Sequence, residues 1–281
     1  MKAGVFTNLH KDKDLSVTKL LLSCLDKRSV SYCLESDLRP FFPENDYFSL
    51  DKPLKVDFMI TVGGDGTILR VAKFCALNRI PIAGINLGFV GFLTEEEPDK
   101  IEMLVDALIS SNFKTENRTL LEADVKGDTF LALNDAVISR DFDSRMLDAD
   151  VFINGEFVDR YFCDGYIVST PTGSTAYSLS AGGAILSPNV SAFILTSINS
   201  HSLHSRPIVV SENDRIKIKL GKKSSANLVM DGVALKKLGG LSEISLKKSD
   251  FSVTFVRLKG HGFYNKLLTK LNKWGLTQKE D

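Results

Sequence analysis

Val56-Asp57-Phe58-Met59-Ile60-Thr61-Val62-Gly63-Gly64-Asp65-Gly66-Thr67-Ile68-Leu69-Arg70 decides the fold of the first half of this chain. The apolar run stops at two glycines, as a buried parallel strand does at its carboxyl end. Helical spacing then predicts a helix from about Thr67 to Asn78. Ligands of open α/β sheets bind beyond the carboxyl ends of the strands, where this turn lies. Glycines let a phosphate or ribose approach the backbone, and the helix N-terminus behind them attracts anions. Asp65 would repel a phosphate. It suits a site where a hydroxyl is oriented or deprotonated, or where a cation bridges carboxylate and phosphate. A simpler reading makes it the N-cap of the helix. The turn lacks the lysine of GxxxxGK[ST], and no GxGxxG occurs in the chain.

On either side of this turn, strand and helix alternate. Ala3–Thr7 reads as a strand, Leu15–Leu25 as a helix, Ser31–Leu34 as a second strand and Ile82–Ile85 as another. Pro98 opens a helix over Asp99–Ser110, with Glu95, Glu96 and Glu97 near its positive end. Such alternation implies a parallel sheet covered by helices. Near Arg118 the pattern changes to short strands and turns. Val151–Val158 is a hairpin about Asn154-Gly155. Pro207–Val210 with Arg215–Leu220 reads as a second pair, and Asn227–Met230 with Val233–Leu235 as a third, about Asp231-Gly232. Ser252–Leu258 closes the series, and Phe263–Trp274 returns to helical spacing. The expected fold is therefore an α/β domain with a Rossmann-like parallel sheet over residues 1–118, and a β-rich, β-sandwich-like domain over 119–259. The last helix, in 260–281, is expected to pack back on the first domain.

Composition narrows the function. Hydrophobic residues make up 43% of the 281 and charged residues 25%, enough to bury full cores. Lys plus Arg and Asp plus Glu are 35 each, so no bulk charge draws the protein to nucleic acid or to a membrane surface. Residues 165–205 hold no Asp, Glu, Lys or Arg, but they are crowded with Ser, Thr, Gly and Pro and read as interior and ligand-facing loop. Cys24, Cys33, Cys75 and Cys163 show no CxxC spacing and are expected to be reduced, buried thiols of a cytoplasmic protein.

Leading into that uncharged stretch, Asp164-Gly165-Tyr166-Ile167-Val168-Ser169-Thr170-Pro171-Thr172-Gly173-Ser174-Thr175-Ala176-Tyr177-Ser178-Leu179-Ser180-Ala181-Gly182-Gly183 offers many hydroxyl donors and little bulk behind a strand, which suits a base and ribose lying flat. The Gly63–Thr67 turn, the Asn134-Asp135 pair and this loop, in that order, resemble the NAD kinase family of bacteria. The resemblance covers nearly the whole chain, and its most specific part is the second loop. It implies an enzyme that transfers the γ-phosphate of ATP, or of another donor such as polyphosphate, to the adenosine ribose 2′-hydroxyl of NAD, in an active site between the domains, with the 119–259 domain binding NAD.

By the same resemblance, Asp65 is the catalytic residue that takes or orients the 2′-hydroxyl proton, and Gly66 lies beside it at the nucleotide. Arg70 matches a basic or histidine position near NAD, Asn134 and Asp135 match the ribose-contacting pair, and Arg145 matches a basic position near the substrate. Asp164, Thr172 and the run Thr175, Ala176, Tyr177, Ser178, Leu179 and Ser180 match the adenine- and ribose-binding loop. Arg206-Pro207 resembles a family segment that looks structural. The expected cofactor is a divalent metal ion, Mg²⁺, carried by the nucleotide rather than by a protein site. A homo-oligomer, dimer or tetramer, is expected.

Three positions depart from the family pattern: Asp135 stands where Glu is usual, Phe162 where a basic residue is frequent, and Val233 where Gln is common. Phe41, Phe42, Phe89 and Phe92 read as core. His10, His201, His204 and His261 lack metal-ligand spacing. Ser174 is not in a GxSxG elbow, and Lys222-Lys223 and Lys247-Lys248 read as solvated turns. Two other functions share some of these features. A lipid or sphingoid-base kinase would carry the glycine-rich turn without the second loop. A non-catalytic NAD(P)-binding protein would keep the fold without turnover.

Overall fold

The computed structural model describes residues 1–88, 91–94, 96–141, 146–202, 204–258 and 262–276. The chain divides into two compact units, Met1–Asn117 with Val253–Asp281, and Arg118–Ser252.

In the first unit the elements are β1 (Lys2–Thr7), α1 (Ser16–Lys27), β2 (Ser31–Glu35), β3 (Tyr47–Phe48), β4 (Phe58–Gly63), α2 (Asp65–Asn78), β5 (Ile82–Asn86) and α3 (Ile101–Ser110). The sheet order is β3-β2-β1-β4-β5, every neighbour parallel. This is a doubly wound order, which reverses direction between β1 and β4. Leu21, Leu22 and Leu25 of α1 share a buried cluster with Leu104, Val105 and Leu108 of α3 and with Val5, Ile60 and Ile85 of the strands. Apolar residues three and four apart put one stripe of each helix on the sheet.

The second set of elements is β6 (Lys114–Val125), β7 (Asp128–Ala132), β8 (Asp135–Arg140), β9 (Leu147–Ile153), β10 (Glu156–Cys163), β11 (Gly165–Ser169), the single turn α4 (Tyr177–Ser180), β12 (Ala192–Ile198), β13 (Ile208–Ser211), β14 (Ile216–Leu220), β15 (Ala226–Met230), β16 (Val233–Leu238) and β17 (Glu243–Arg257), followed by α5 (Phe263–Leu276). The unit boundaries fall inside β6 and β17. Antiparallel strands run β13-β12-β11-β8-β15-β16 in one sheet, and β10-β9-β14-β17 in another. Alternate residues of both, such as Ile138, Val168, Phe193, Val151, Ile218 and Leu246, form one buried cluster. Asn154 at φ 53° and Gly155 at φ 87° make the β9–β10 turn, the left-handed pair that a two-residue hairpin needs. The end of β17 pairs in parallel with β5 through Phe255 and Ile82. In α5, Lys266 donates to the Thr94 carbonyl at 2.9 Å, and Phe263 lies 6.0 Å from the Phe92 ring.

Four expectations are corrected. Helix α2 begins at Asp65 rather than Thr67, because Gly64 serves as its N-cap. Pro207–Val210 and Arg215–Leu220 do not pair: β13 joins β12, and β14 joins β9 and β17. The Asp214 carboxylate takes the Ser211 N–H at 2.9 Å in the intervening turn, which hands the chain from one sheet to the other. Lys247 and Lys248 lie within β17 and face Glu122 at 3.1 Å and Glu212 at 2.6 Å. Phe41 is 54% exposed, while Phe42 packs on the first core. The Phe89 and His261 expectations lie outside the described residues. All four cysteines are free and buried. Among the described residues no helix is long and apolar enough to cross a membrane.

Candidate active site

In the first unit the Gly63–Thr67 turn closes on itself. Thr67 Oγ1 accepts the Gly64 N–H at 3.2 Å and the Asn8 amide at 3.2 Å, which ties the loop after β1 to the turn after β4. Asp65, half-buried, is the first residue of α2. Its Oδ2 accepts the Phe92 N–H at 2.8 Å, and its Oδ1 accepts those of Leu93 at 3.0 Å and Thr94 at 3.3 Å. Gly91 is obligatory beside it, since a Cβ there would stand 2.1 Å from Asp65 Oδ1. Gly66 is different: a Cβ would meet nothing within 4 Å, so internal packing does not require a glycine. The open space lies at a helix N-terminus, where an anionic ligand is favoured. Arg70 is exposed on α2, its guanidinium 4.9 Å from the Phe6 ring centroid. It borders a groove of about 460 Å³ with Lys52, Lys73 and Phe74.

In the second unit the Leu133–Asp135 turn is held from both sides. Asp231, at φ 48° in the β15–β16 turn, accepts the backbone N–H groups of Leu133 at 2.8 Å, Asn134 at 2.7 Å and Asp135 at 3.3 Å. From the other side, Thr170 donates its backbone N–H to the Asn134 carbonyl at 2.9 Å and its hydroxyl to the Leu133 carbonyl at 2.6 Å. Gly173 then fits against the turn so closely that a Cβ would lie 2.1 Å from the Asn134 carbonyl oxygen. The second loop and the Asn134-Asp135 pair therefore form one locked unit.

Two carboxylates meet here, Asp135 buried and Asp231 half-buried. Burial and the neighbouring Asp231 charge push the Asp135 carboxyl up to about 7. Burial lifts Asp231 as well, while its three N–H donors pull it back. The proton of the pair thus belongs on Asp135.

The remaining expected residues separate into two groups. Thr172 is buried, with its hydroxyl accepting from Arg118 at 3.3 Å; Thr175 is half-buried and donates to the Thr172 carbonyl at 3.3 Å. Ser178 is fully buried, its hydroxyl 3.4 Å from that of Thr196, so it faces inward. Tyr177 and Ser180 are exposed, and Ala176 and Leu179 are half-buried. Ser178 is thus the one buried member of the run, and the five residues around it keep some exposure. Asp164 is held by Arg140 at 2.8 Å and Asn199 at 3.0 Å, and hydrogen bonds from these two keep its carboxyl below the usual range. Arg145 lies outside the described residues. Phe162 on β10 and Val233 on β16 are 48% and 58% exposed, so neither departure from the family pattern disturbs the core.

Sequence reasoning missed two groups. The Phe92–Thr94 donors were signalled only by the glycines at 88 and 91. Asp231 was read as a turn residue. Its role shows only once β15 lies beside β8.

Comparison with known proteins gives a consistent result. The ATP-NAD kinase N-terminal domain family matches residues 13–113, and the ATP-NAD kinase C-terminal domain family matches residues 133–258. The chain is 40% identical to a NAD kinase of Thermoanaerobacter sp. (strain X514), over 97% of this chain and 99% of that one. It is 37% identical to a bifunctional NADP phosphatase/NAD kinase of Methanocaldococcus jannaschii, covering 95% of this chain and 46% of that longer one. Among solved structures, an NAD kinase from Archaeoglobus fulgidus in complex with ATP is similar at a TM-score of 0.76 and 30% identity, over 97% and 99% of the two chains. A yeast NADH kinase complexed with NADH is similar at a TM-score of 0.87 and 26% identity, over 100% and 89%.

Proposed function

The chain belongs to the NAD kinase family, and from that membership we propose that it transfers the γ-phosphoryl group of ATP to the 2′-hydroxyl of the adenosine ribose of NAD, giving NADP. It is a phosphotransferase; neither a lipid kinase nor a non-catalytic NAD(P) sensor finds support in its relatives. The observation that carries the reading is the Gly63–Thr67 turn, with Asp65 opening α2 and open space over Gly66.

Asp65 receives or orients the proton of the ribose hydroxyl as the oxygen attacks phosphorus, and the donor's β–γ bond breaks to release ADP. Gly66 and the α2 N-terminus accommodate nucleotide phosphate. Asn134, Asp135, Asp164, Thr172, Thr175, Ala176, Tyr177, Ser178, Leu179 and Ser180 form or frame the NAD site, with Ser178 acting from behind through packing. Arg70 and Arg145 contribute positive charge near the dinucleotide. Phosphoryl transfer from ATP uses a divalent cation to neutralise phosphate charge. Asp65 is engaged by the Phe92–Thr94 amides, and among the described residues no group of three or more His, Cys, Asp or Glu could hold a metal. Mg²⁺ is taken to enter with the nucleotide, its charge balanced by the phosphates. A cytoplasmic homo-oligomer completes the reading.

The test is incubation with NAD, ATP and Mg²⁺, with NADP read by a dehydrogenase specific for it. NADP formation is expected, and a folded preparation that makes none overturns the proposal.

A further inference from the structure

We propose that Lys11 grips the phosphate chain of the donor nucleotide, a role that rests on the kinase reading above. The sheet order places the direction reversal between β1 and β4, and the loops leaving those two strands flank the ligand position of a doubly wound sheet. One of these loops carries Gly63–Gly66; the other carries Asn8–Lys11.

The β1 loop is built to hold Lys11 in place. Asn8 donates its backbone N–H to the Val62 carbonyl at 2.9 Å and its side-chain amide to Thr67 Oγ1 at 3.2 Å. The Lys11 N–H returns to the Asn8 carbonyl at 2.9 Å. The next residue, Asp12, is 2% exposed and accepts the Thr18 N–H at 2.8 Å and the Thr18 hydroxyl at 2.6 Å. Lys11 thus stands between two fixed points, with its side chain exposed.

That side chain lies across the glycine-rich turn. A Cβ on Gly64 would sit 2.6 Å from Lys11 Nζ, which places the ammonium directly over this glycine. The ammonium donates to a neutral group, the Leu87 carbonyl at 3.3 Å, and among the described residues it forms no ion pair. Lys11 covers the Gly64 side of the turn, and Asp65 covers the Gly91 side. The two charges therefore divide the work. The ammonium and the N-terminus of α2 attract phosphate, leaving the carboxylate for a hydroxyl. Lys11 also answers the objection that Asp65 alone would repel the donor.

Lys11→Met and Lys11→Arg test this in the full chain, with ATP and NAD varied separately. Lys11→Met is expected to raise the KM for ATP tenfold or more and leave that for NAD within twofold, with Lys11→Arg recovering most of the loss. Calorimetric titration with ATP should show the same ranking. An ATP KM and affinity within twofold of the unaltered protein overturn the proposal, as does a loss confined to thermal stability. If the unaltered protein makes NADP and Lys11→Met matches it, Lys11 falls and the kinase reading stands. If the unaltered protein makes no NADP, the kinase reading falls and the calorimetric titration still decides for or against Lys11.

Discussion

The Asp231 carboxylate accepts the Asn134 backbone N–H at 2.7 Å, and with it those of Leu133 and Asp135. One side chain on the β15–β16 turn therefore shapes a turn 97 residues earlier in the chain. Asp231→Ala would leave three donors without this acceptor. A buried unsatisfied donor costs about 1–3 kcal/mol, so a loss of roughly 3 kcal/mol in unfolding free energy is expected by urea denaturation. Because the turn carries Asn134 and Asp135, the KM for NAD should rise along with it.

Asp135 gives a pH dependence of defined sign. Burial and the Asp231 charge raise its carboxyl from the ordinary aspartate range to about 7. The folded state therefore binds this proton more tightly than the unfolded state does. Stability from this group is highest below the unfolded value, falls as pH rises from about 4 towards 7, and is level above that. Asp135→Asn removes the slope. Melting curves should show the variant gaining on the unaltered protein between pH 5 and pH 8, and parallel curves would refute the assignment.

Asp65→Asn keeps a carbonyl oxygen for one of the loop amides but loses the base. Turnover is expected to drop by roughly 10²–10⁴-fold, the usual contribution of a general base. The KM for NAD should change little. A variant retaining near-full kcat would remove Asp65 from the chemistry.

Gly173→Ala introduces a methyl against the Asn134 carbonyl oxygen, 2.1 Å from the ideal Cβ position. Both sides of this contact are backbone, so no side chain can swing away. Overpacking of this kind costs about 1–3 kcal/mol. The chemically similar Gly66→Ala has open space around it and should be neutral for stability. Its effect should appear in the KM for nucleotide instead, a contrast that thermal melts and initial rates resolve.

What could be read from the sequence depended on how local the cause was. The strand–turn–helix at Phe58–Asn78 and the Asn154-Gly155 hairpin are written in neighbouring residues, and both are present, the helix starting two residues earlier than its spacing predicts. The β13 and β14 segments alternate as strands should, yet alternation names a buried face and not a partner strand, so their sheets were assigned wrongly. The same limit hid part of the site. Phe92–Thr94 meets Asp65 through backbone amides, which carry no side-chain signature, 27–29 residues away. Lys11 carries no motif of its own, and its place over Gly64 follows from β1 lying beside β4.

Three amides converging on the Asp65 carboxylate form a small anion trap, and a trap needs its occupant. The segment from Phe92 to Thr94 holds its curvature around a negative charge, so position 65 supplies a reagent and an internal counter-ion together. Replacing the aspartate with alanine would vacate the trap and invite chloride or phosphate from the buffer to fill it. Inactivity of such a variant would then report loop collapse or a trapped salt anion as much as a missing base. Buffer composition therefore becomes an experimental variable at this residue.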